Sequence, residues 1–330
     1  MSFVLRCTLR VTTPTPLSSW LTAPPRSLPT TTLTPPSSYT CLSRFFLCIG
    51  SIIFQSVHGP LEAPKEYLDL YPDIDDPERQ LYLAMVTAMD DAVGQVVGAL
   101  EEADLYKDSV ILFFSDNGGP IKGWPPGHDT AYSANNWPLR GGKYSLWEGG
   151  TRTLAAITAP GILEPASTSS KLTHVTDWFP TLLSAAGLSP SEEGLDGIDQ
   201  WDALKNPSME SVRHEMVYNI FYPTWDLSGG PPVSALRQGD WKFLRRTVGF
   251  AGWCEAPEQS NSTNPEPGEV EDLRDQLFNL ATDPEERENL ADVETGRAAE
   301  MLARLLEIEE GMSRVRCEDN WSFSNKHIQR

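Results

Sequence analysis

The chain has 330 residues, of which 40% are hydrophobic, enough for a packed core in one large domain or two smaller ones. Its 46 acidic residues against 26 Lys and Arg give a net charge of −20. Because so acidic a chain repels phosphate backbones and anionic membrane surfaces, we expect no nucleic-acid partner. Residues 1–61 contain no Asp, Glu or Lys, so the acidic side chains all follow them.

Residues 1–44 are rich in Ser, Thr and Pro without apolar periodicity, and we predict that they are disordered. Two origins of this segment remain open. Arginines without acidic residues are typical of an organelle transit peptide, and an erroneous gene start also fits; no secretory signal peptide is indicated. The rest is predicted to divide into an α/β domain over 45–225 and a smaller antiparallel unit over 226–330.

The first predicted elements are a strand, a helix and a strand. The apolar run 45–54 is shorter than the about 20 residues of a membrane-spanning helix, so we predict a buried strand and no membrane span. Residues 77–103 have apolar side chains at helical spacing, and 110–114 form a second apolar run. This order implies a parallel pair with a crossover, hence an α/β fold with a mainly parallel sheet flanked by helices.

Five further elements are predicted after residue 150. They are strands at 153–158, within 233–246 and at 276–279, and helices at 177–186 and 296–308. Pro180 falls in the first turn of its helix, where a missing N–H does no harm. The later strands predict a small antiparallel unit closed by the last helix.

Side chains suited to chemistry follow the first two predicted strands. In open α/β sheets, ligands collect beyond the carboxyl ends of the strands. The first strand is followed by the imidazole of His58, and the second by Asp116 and Asn117, whose oxygens suit a hard cation. The sequence Asp-Asn-Gly-Gly at 116–119 is also typical of a tight turn, because Asn and Gly tolerate positive φ.

Residues 136–152 are dense in glycine and aromatic residues around Lys143. Glycine lets the backbone approach a ligand closely, and a lysine ammonium neutralises a sulfate or phosphate oxygen. A solvated surface lysine is the alternative interpretation. The surroundings of Lys143 weigh against it.

Two cysteines and two sequons in the C-terminal part bear on the cellular compartment of the protein. The spacing of Cys254 and Cys317 matches no zinc motif, and from spacing alone a disulfide and two unrelated buried thiols both remain open. Sequons at Asn261 and Asn320 are candidate glycosylation sites, which agree with an oxidising secretory compartment.

Several of these motifs together carry a resemblance. They are Gln55-Ser56-Val57-His58-Gly59-Pro60-Leu61, Met89-Asp90-Asp91-Ala92-Val93-Gly94, Asp116-Asn117-Gly118-Gly119, residues 136–150, His174-Val175-Thr176-Asp177-Trp178-Phe179-Pro180-Thr181, and Leu277-Phe278-Asn279-Leu280 with Asp283-Pro284-Glu285-Glu286. In this order and spacing the chain, over roughly residues 45–320, resembles the arylsulfatase B group of the sulfatases. The resemblance implies part of an alkaline-phosphatase-like sulfatase fold with a small C-terminal antiparallel subdomain, and hydrolysis of sulfate esters.

The resemblance also implies roles for the candidate residues. Asp116 and Asn117 match calcium ligands, and Lys143 matches the lysine that binds the sulfate. His58 matches a histidine at the sulfate or leaving-group oxygen, where it would act as a general acid. The implied partner is a sulfated small molecule or glycan, and the implied location is lysosomal or extracellular.

The resemblance further implies a disulfide between Cys254 and Cys317, but no segment matches the N-terminal half of the family. Relatives carry there a Cys-x-Pro-Ser-Arg motif whose cysteine becomes formylglycine, together with paired aspartates and a Lys-x-His segment. Cys41 lacks the following proline and is not expected to be a nucleophile. Because loss of a nucleophile costs about 10⁶ in turnover, we expect a truncated, inactive chain with an incomplete calcium site.

Two other functions remain open from the sequence. A pseudoenzyme would keep the pocket as a binding surface for sulfated glycans and would bind them saturably without turnover. A phosphodiesterase or phosphatase of the wider superfamily is disfavoured, because Asp116-Asn117 and the residues around Lys143 fit sulfatases better.

Overall fold

The computed structural model describes residues 50–121, 134–189, 194–221, 232–248, 251–254 and 271–312. The chain divides into two compact units, Met1–Gln55 and Ser56–Arg330. In the first unit, the described residues 50–55 have no regular structure, and Ile52 and Ile53 are exposed. The predicted buried strand is therefore wrong for residues 50–54, since no described strand pairs with them. The segment predicted to be disordered lies outside the described residues.

The second unit contains helices and short strands in its first part and four consecutive strands followed by a helix in its last part. In chain order they are α1 (Lys65–Leu68), α2 (Pro77–Glu102), β1 (Ile111–Phe114), α3 (Glu148–Thr151), β2 (Ala155–Thr158), α4 (Trp178–Ala185), α5 (Trp201–Lys205), β3 (Glu215–Phe221), β4 (Val233–Gln238), β5 (Trp241–Val248), β6 (Glu271–Asn279) and α6 (Thr295–Gly311). The elements predicted after residue 76 are confirmed within a few residues. Strand β3 and the short helices α1, α3 and α5 were not predicted.

Helix α2 begins where the local chemistry favours a start. The Asp76 side chain accepts hydrogen bonds from the backbone N–H groups of Glu78 (2.9 Å) and Arg79 (3.3 Å), which have no partner inside the helix. Pro77 occupies the first helical position, where no N–H is needed. These residues explain why the predicted and observed starts coincide.

By length and composition alone, α2 is apolar enough to cross a membrane. This is a weak indication, because the core helix of a globular protein passes the same test. In addition, Asp90 and Asp91 lie near the middle of α2, where each charge would cost about 3 kcal/mol in a bilayer.

Both described sheets are antiparallel. β1 pairs with β2, and the larger sheet has the order β3-β4-β5-β6. The predicted mainly parallel sheet is not confirmed, because residues 50–54 form no strand and β1 takes β2 as its partner instead. The antiparallel strands predicted near the C-terminus are found, with β3 added at their edge.

The four-stranded sheet is covered on both faces, since successive side chains of a strand point to opposite sides. On one face, Leu244 of β5 belongs to an apolar cluster with Leu146, Trp147, Val233, Ala235, Phe278 and Leu280. On the other face, Phe243 belongs to a cluster with Leu236, Leu277, Met301 and Leu305. Residues 140–151, which we call the Lys143 loop, thus pack on one face, and α6 packs on the other.

Candidate functional site

The turn after β1 presents oxygen ligands to solvent. Asp116 is exposed, and Asn117 is half-buried. The Asn117 Nδ2 atom donates a hydrogen bond to the Gly118 carbonyl at 2.8 Å, which leaves the amide oxygen of Asn117 for another partner. Two carboxylate oxygens and one amide oxygen therefore lie on adjacent residues at the end of a strand.

Two backbone hydrogen bonds join this turn to the Lys143 loop. The Lys143 N–H donates to the Gly119 carbonyl at 3.0 Å, and the Gly118 N–H donates to the Gly150 carbonyl at 3.0 Å. The structure therefore brings Lys143 and the residues after β1 together, although they are separated by more than 20 positions in the sequence.

The junction is closed further by a side chain and by a glycine contact. The Asn136 amide accepts a hydrogen bond from the Gly119 N–H and donates one to the Gly119 carbonyl, each at 2.8 Å. A Cβ atom on Gly118 would lie 1.8 Å from the Gly149 carbonyl oxygen. Only glycine allows this approach of the two backbones.

The Lys143 side chain is half-buried and faces an exposed aromatic ring. Its Nζ atom lies 5.6 Å from the centroid of the Tyr144 ring, and Tyr144 is 57% exposed with a φ of 74°. A positive φ is uncommon for a residue other than glycine and is often found at functional sites. No carboxylate among the described residues forms an ion pair with Lys143.

His58 lies apart from these groups in its hydrogen bonding. The ring is exposed, and its Nδ1 atom lies 2.8 Å from the Gly59 carbonyl oxygen. No hydrogen bond or ion pair joins His58 to Asp116, Asn117 or Lys143 in the described structure. The role implied for His58 therefore stays a prediction.

Calcium is the cation that the resemblance implies, and the residues fit it only in part. Calcium takes about six to eight oxygen ligands. The oxygens of Asp116 and Asn117 are suitable donors but too few. Within the described ranges, no group of three or more His, Cys, Asp or Glu side chains is placed to hold a metal ion. The described residues do not form a complete calcium site.

The cysteine and glycosylation predictions lie largely beyond the described residues. Cys254 is half-buried, and burial raises the pKa of its thiol to about 11. Its carbonyl oxygen accepts a hydrogen bond from Asn135 Nδ2 at 3.2 Å. Four residues named in the sequence predictions lie outside the described part: Cys41, Asn261, Cys317 and Asn320.

A buried charged cluster under the Lys143 loop was not predicted. The fully buried Lys242 of β5 places its Nζ atom 2.8 Å from Glu148 Oε1 and 2.8 Å from Glu286 Oε1. Successive side chains of a strand point to opposite faces of the sheet, and a lysine usually marks the face that is exposed to solvent. The sequence therefore held no signal that Lys242 faces inward.

The charges of this cluster shift one another's pKa. Burial opposes the charge of Lys242, but Glu148 and Glu286 outweigh it and raise the pKa of the lysine. Burial also opposes ionisation of Glu148, but Lys242 outweighs it and lowers the pKa of that carboxyl. Burial raises the pKa of Glu286 to about 7, with Lys242 opposing the shift and Glu148 adding to it. Within the cluster, Glu286 is thus the carboxyl whose pKa is raised above its ordinary value.

Known proteins are similar to large parts of this chain. Residues 45–188 match the Sulfatase family. Arylsulfatase J from Mus musculus is 32% identical over 276 residues, which cover 77% of this chain and 44% of the relative. N-acetylgalactosamine-6-sulfatase from Sus scrofa is 32% identical over 150 residues, which cover 45% of this chain and 27% of the relative. The chain spans less than half the length of these relatives.

Solved structures share the fold. The crystal structure of Ps i-CgsB is 26% identical with a TM-score of 0.58, and the match covers 77% of this chain and 48% of that one. Ps i-CgsB has also been solved in complex with k-i-k-neocarrahexaose. The PsFucS1 sulfatase from Pseudoalteromonas sp. is 26% identical with a TM-score of 0.51, and the match covers 70% of this chain and 42% of that one.

Proposed function

The chain belongs to the sulfatase family, and we propose that the Lys143 loop and the turn carrying Asp116 and Asn117 form one wall of a site for a sulfate ester. The observation that carries this proposal is the pair of backbone hydrogen bonds that holds Lys143 beside that turn. The finer likeness to the arylsulfatase B group belongs to the same proposal, since it rests on the motifs alone.

In this proposal Lys143 offsets the negative charge of the sulfate oxygens. His58 is assigned to the leaving-group oxygen, where a chain that also carries the nucleophile would use it as a general acid. It is the less supported of the two residues, because no hydrogen bond or ion pair among the described residues joins its ring to the Lys143 loop. The printed sequence has no Cys-x-Pro-Ser-Arg segment. We therefore propose that the 330-residue chain binds sulfate esters without turnover.

We propose a sulfated glycan, rather than an aryl sulfate, as the ligand class. One relative is named for a 6-sulfated N-acetylgalactosamine, and the similar Ps i-CgsB was solved with k-i-k-neocarrahexaose. Beside Lys143, the exposed Tyr144 ring offers an apolar face with a polar tip. Such a ring suits the face of a sugar whose sulfate lies at the lysine.

Binding tests the proposal directly. The chain is titrated calorimetrically with N-acetylgalactosamine 6-sulfate as wild type, as Lys143→Ala and as Lys107→Ala, which removes an exposed lysine in the 3₁₀ turn before β1. We expect saturable binding by wild type and Lys107→Ala, and binding at least about tenfold weaker, or 1.4 kcal/mol, for Lys143→Ala. Equal affinity of Lys143→Ala and wild type, or no binding by wild type, would contradict the proposal.

A turnover assay separates the alternatives. With 4-nitrophenyl sulfate and calcium chloride we expect no hydrolysis above the blank. Hydrolysis that disappears in Lys143→Ala would contradict binding without turnover and identify an active sulfatase. Hydrolysis of 4-nitrophenyl phosphate instead would favour the phosphatase alternative.

A further inference from the structure

We propose that the buried cluster of Lys242, Glu148 and Glu286 is a positioning device, through which the four-stranded sheet fixes the Lys143 loop. The inference rests on the proposed function in one respect, namely that Lys143 is the anion-binding side chain. The three residues come from three separate elements: β5, α3 and the turn after β6. None of them lies in the turn that carries Asp116.

Glu148 fixes both the backbone and the side chain of the loop. Its N–H donates to Glu286 Oε2 at 2.6 Å, and its Oε1 accepts from Lys242 Nζ at 2.8 Å. The side chains of all three residues are at most 1% exposed. A shift of the loop would separate Glu148 from Lys242. Such a shift is strongly unfavourable, because it leaves buried charges without their partners.

Glu286 contacts both ends of the Lys143 loop. Its carboxylate accepts from Glu148, while its backbone carbonyl accepts from Arg140 NH1 at 3.3 Å. The Arg140 guanidinium also lies 3.6 Å from the centroid of the Trp147 ring and donates from Nε to the Ala251 carbonyl at 2.7 Å. One residue of the C-terminal part thus spans the loop that carries Lys143.

The backbone of Glu286 supports a positional role. It is fully buried with a φ of 56°, a conformation that is costly for a residue other than glycine. Such a conformation persists where the surroundings determine it, and here the surroundings are Lys242 and the two ends of the loop.

Because two carboxylates share Lys242, we expect the position of the loop to depend on protonation. Tyr218 OH donates to Glu148 Oε1 at 3.2 Å, and Arg237 NH1 lies 4.0 Å from Glu148 Oε2. The charged and titratable groups around the two carboxyls are Lys242, Tyr218, Arg237, Arg140 and Arg152. When Glu286 is ionised, two carboxylates compete for Lys242; when it is protonated, Glu148 and Lys242 form a balanced pair.

The sign of this dependence follows from the raised pKa of Glu286. A folded-state pKa above the ordinary value means that the folded chain binds the extra proton more tightly than the unfolded chain. The contribution is therefore fully present below the ordinary carboxyl pKa and is lost as the pH rises through about 7. We expect the loop to be held more firmly in mildly acidic solution than in alkaline solution.

Hydrogen–deuterium exchange tests the positioning role without relying on sulfate. In Lys242→Met we expect the protection of amides in residues 140–151 to fall at least about tenfold. The matched control is Arg245→Met on the same strand, which removes an ion pair with Glu309 of α6 on the opposite face. Its effect on residues 140–151 is expected to stay within about twofold.

A nearly isosteric variant keeps the test usable if Lys242→Met does not fold. Glu286→Gln retains an acceptor for the Glu148 N–H but has no titratable group. After correction for intrinsic exchange, the protection of residues 140–151 should fall between mildly acidic and alkaline pH in wild type and stay level in Glu286→Gln. The double variant Lys242→Met/Glu286→Gln should regain part of the protection lost in Lys242→Met, since it removes one of the unpaired carboxylates.

Specific outcomes decide between the two proposals. Unchanged protection of the loop in Lys242→Met, equal loss in Arg245→Met, or the same pH response in Glu286→Gln as in wild type would overturn the positioning role. A wild-type chain that fails to bind N-acetylgalactosamine 6-sulfate but shows the expected exchange pattern would contradict the proposed function alone.

Discussion

The two sheets in the described part of the chain are held by different interactions. The four-stranded sheet buries apolar side chains on both faces, and Phe278, Leu277 and Phe243 are fully buried in it. Around β1 and β2, in contrast, Phe114 is 43% exposed and Leu154 is 68% exposed. Lys143 is therefore carried by the well-packed part of the chain, whereas Asp116 follows a strand in the more open part.

The more open part relies on a buried carboxylate instead of a large apolar core. Asp177 is fully buried, and both of its oxygens accept hydrogen bonds from the Arg213 guanidinium. The same carboxylate accepts from the backbone N–H groups of His174 and Ile198, each at 2.8 Å. One polar residue thus joins the start of α4 to two distant segments.

The largest loss of stability is expected from a substitution in the four-stranded sheet. Phe278→Ala removes a buried ring that packs edge-on to Trp147 at 5.8 Å between centroids, and we expect a loss of about 3–5 kcal/mol in the free energy of unfolding. Phe114→Ala removes a partly exposed ring stacked on Trp178 and should cost less than about 1.5 kcal/mol. Urea denaturation measures both, and equal losses would refute the contrast between the sheets.

A somewhat smaller effect is expected from breaking the Asp177–Arg213 ion pair in the more open part of the chain. Asp177→Asn leaves the largely buried Arg213 without its counter-charge, which should cost about 3 kcal/mol near neutral pH. Urea denaturation of the variant and the wild type gives this difference directly. A loss below about 1 kcal/mol would mean that this region does not depend on the ion pair.

The same ion pair predicts that acid lowers the stability of the folded chain. Burial would raise the pKa of Asp177, but the hydrogen bonds from Arg213, His174 and Ile198 outweigh it and hold the pKa below its usual range. The contribution is present above the ordinary aspartate pKa and is lost as the pH falls through the depressed value. Thermal melts from pH 6 downward should therefore converge for wild type and Asp177→Asn, and parallel curves would argue against this account.

The junction between the Lys143 loop and the turn after β1 is tested by a glycine substitution. Gly118→Ala places a Cβ against the Gly149 carbonyl, so we expect a loss of about 1–3 kcal/mol and weaker sulfate binding. Gly98→Ala in α2 is the matched control, because nothing lies within 4 Å of its Cβ position. It should gain up to about 1 kcal/mol. Both are measured by urea denaturation, and a neutral Gly118→Ala would show that the loops can separate freely.

The smallest expected effect concerns the exposed carboxylate. Asp116→Asn should change the free energy of unfolding by less than about 0.5 kcal/mol. If Asp116 contributes to calcium binding, millimolar calcium chloride should raise the melting temperature of wild type slightly and that of Asp116→Asn less. Equal shifts for both would remove Asp116 as a ligand.

The elements were predictable to the extent that local pattern decides them. Residues 77–103 carry a helical period and follow the capping residue Asp76, so α2 was predicted nearly to its ends. Strand pairing was not predictable in the same way, because the apolar run of β1 suits a parallel or an antiparallel neighbour equally. The predicted first strand failed over residues 50–54 for the same reason, since an apolar run does not specify its partner.

The candidate site shows the same division. The resemblance drew attention to Asp116, Asn117 and Lys143, but the backbone hydrogen bonds that bring them together depend on glycine contacts between distant segments. Lys242 was missed because alternation distinguishes two faces of a strand without saying that both are covered. Buried residues that position a site without belonging to it are hard to recognise in a single sequence.

The junction between the Lys143 loop and the turn after β1 is built mainly from amide and carbonyl groups of the main chain. Its spacing is therefore insensitive to most side-chain exchanges, except at the glycines and at Asn136, whose amide forms two hydrogen bonds with Gly119. Tyr144, which is exposed beside Lys143, takes no part in these backbone hydrogen bonds. Under the proposed function, a change of the side chain at position 144 would therefore alter ligand preference while the junction is kept, and a library restricted to this position is a compact test.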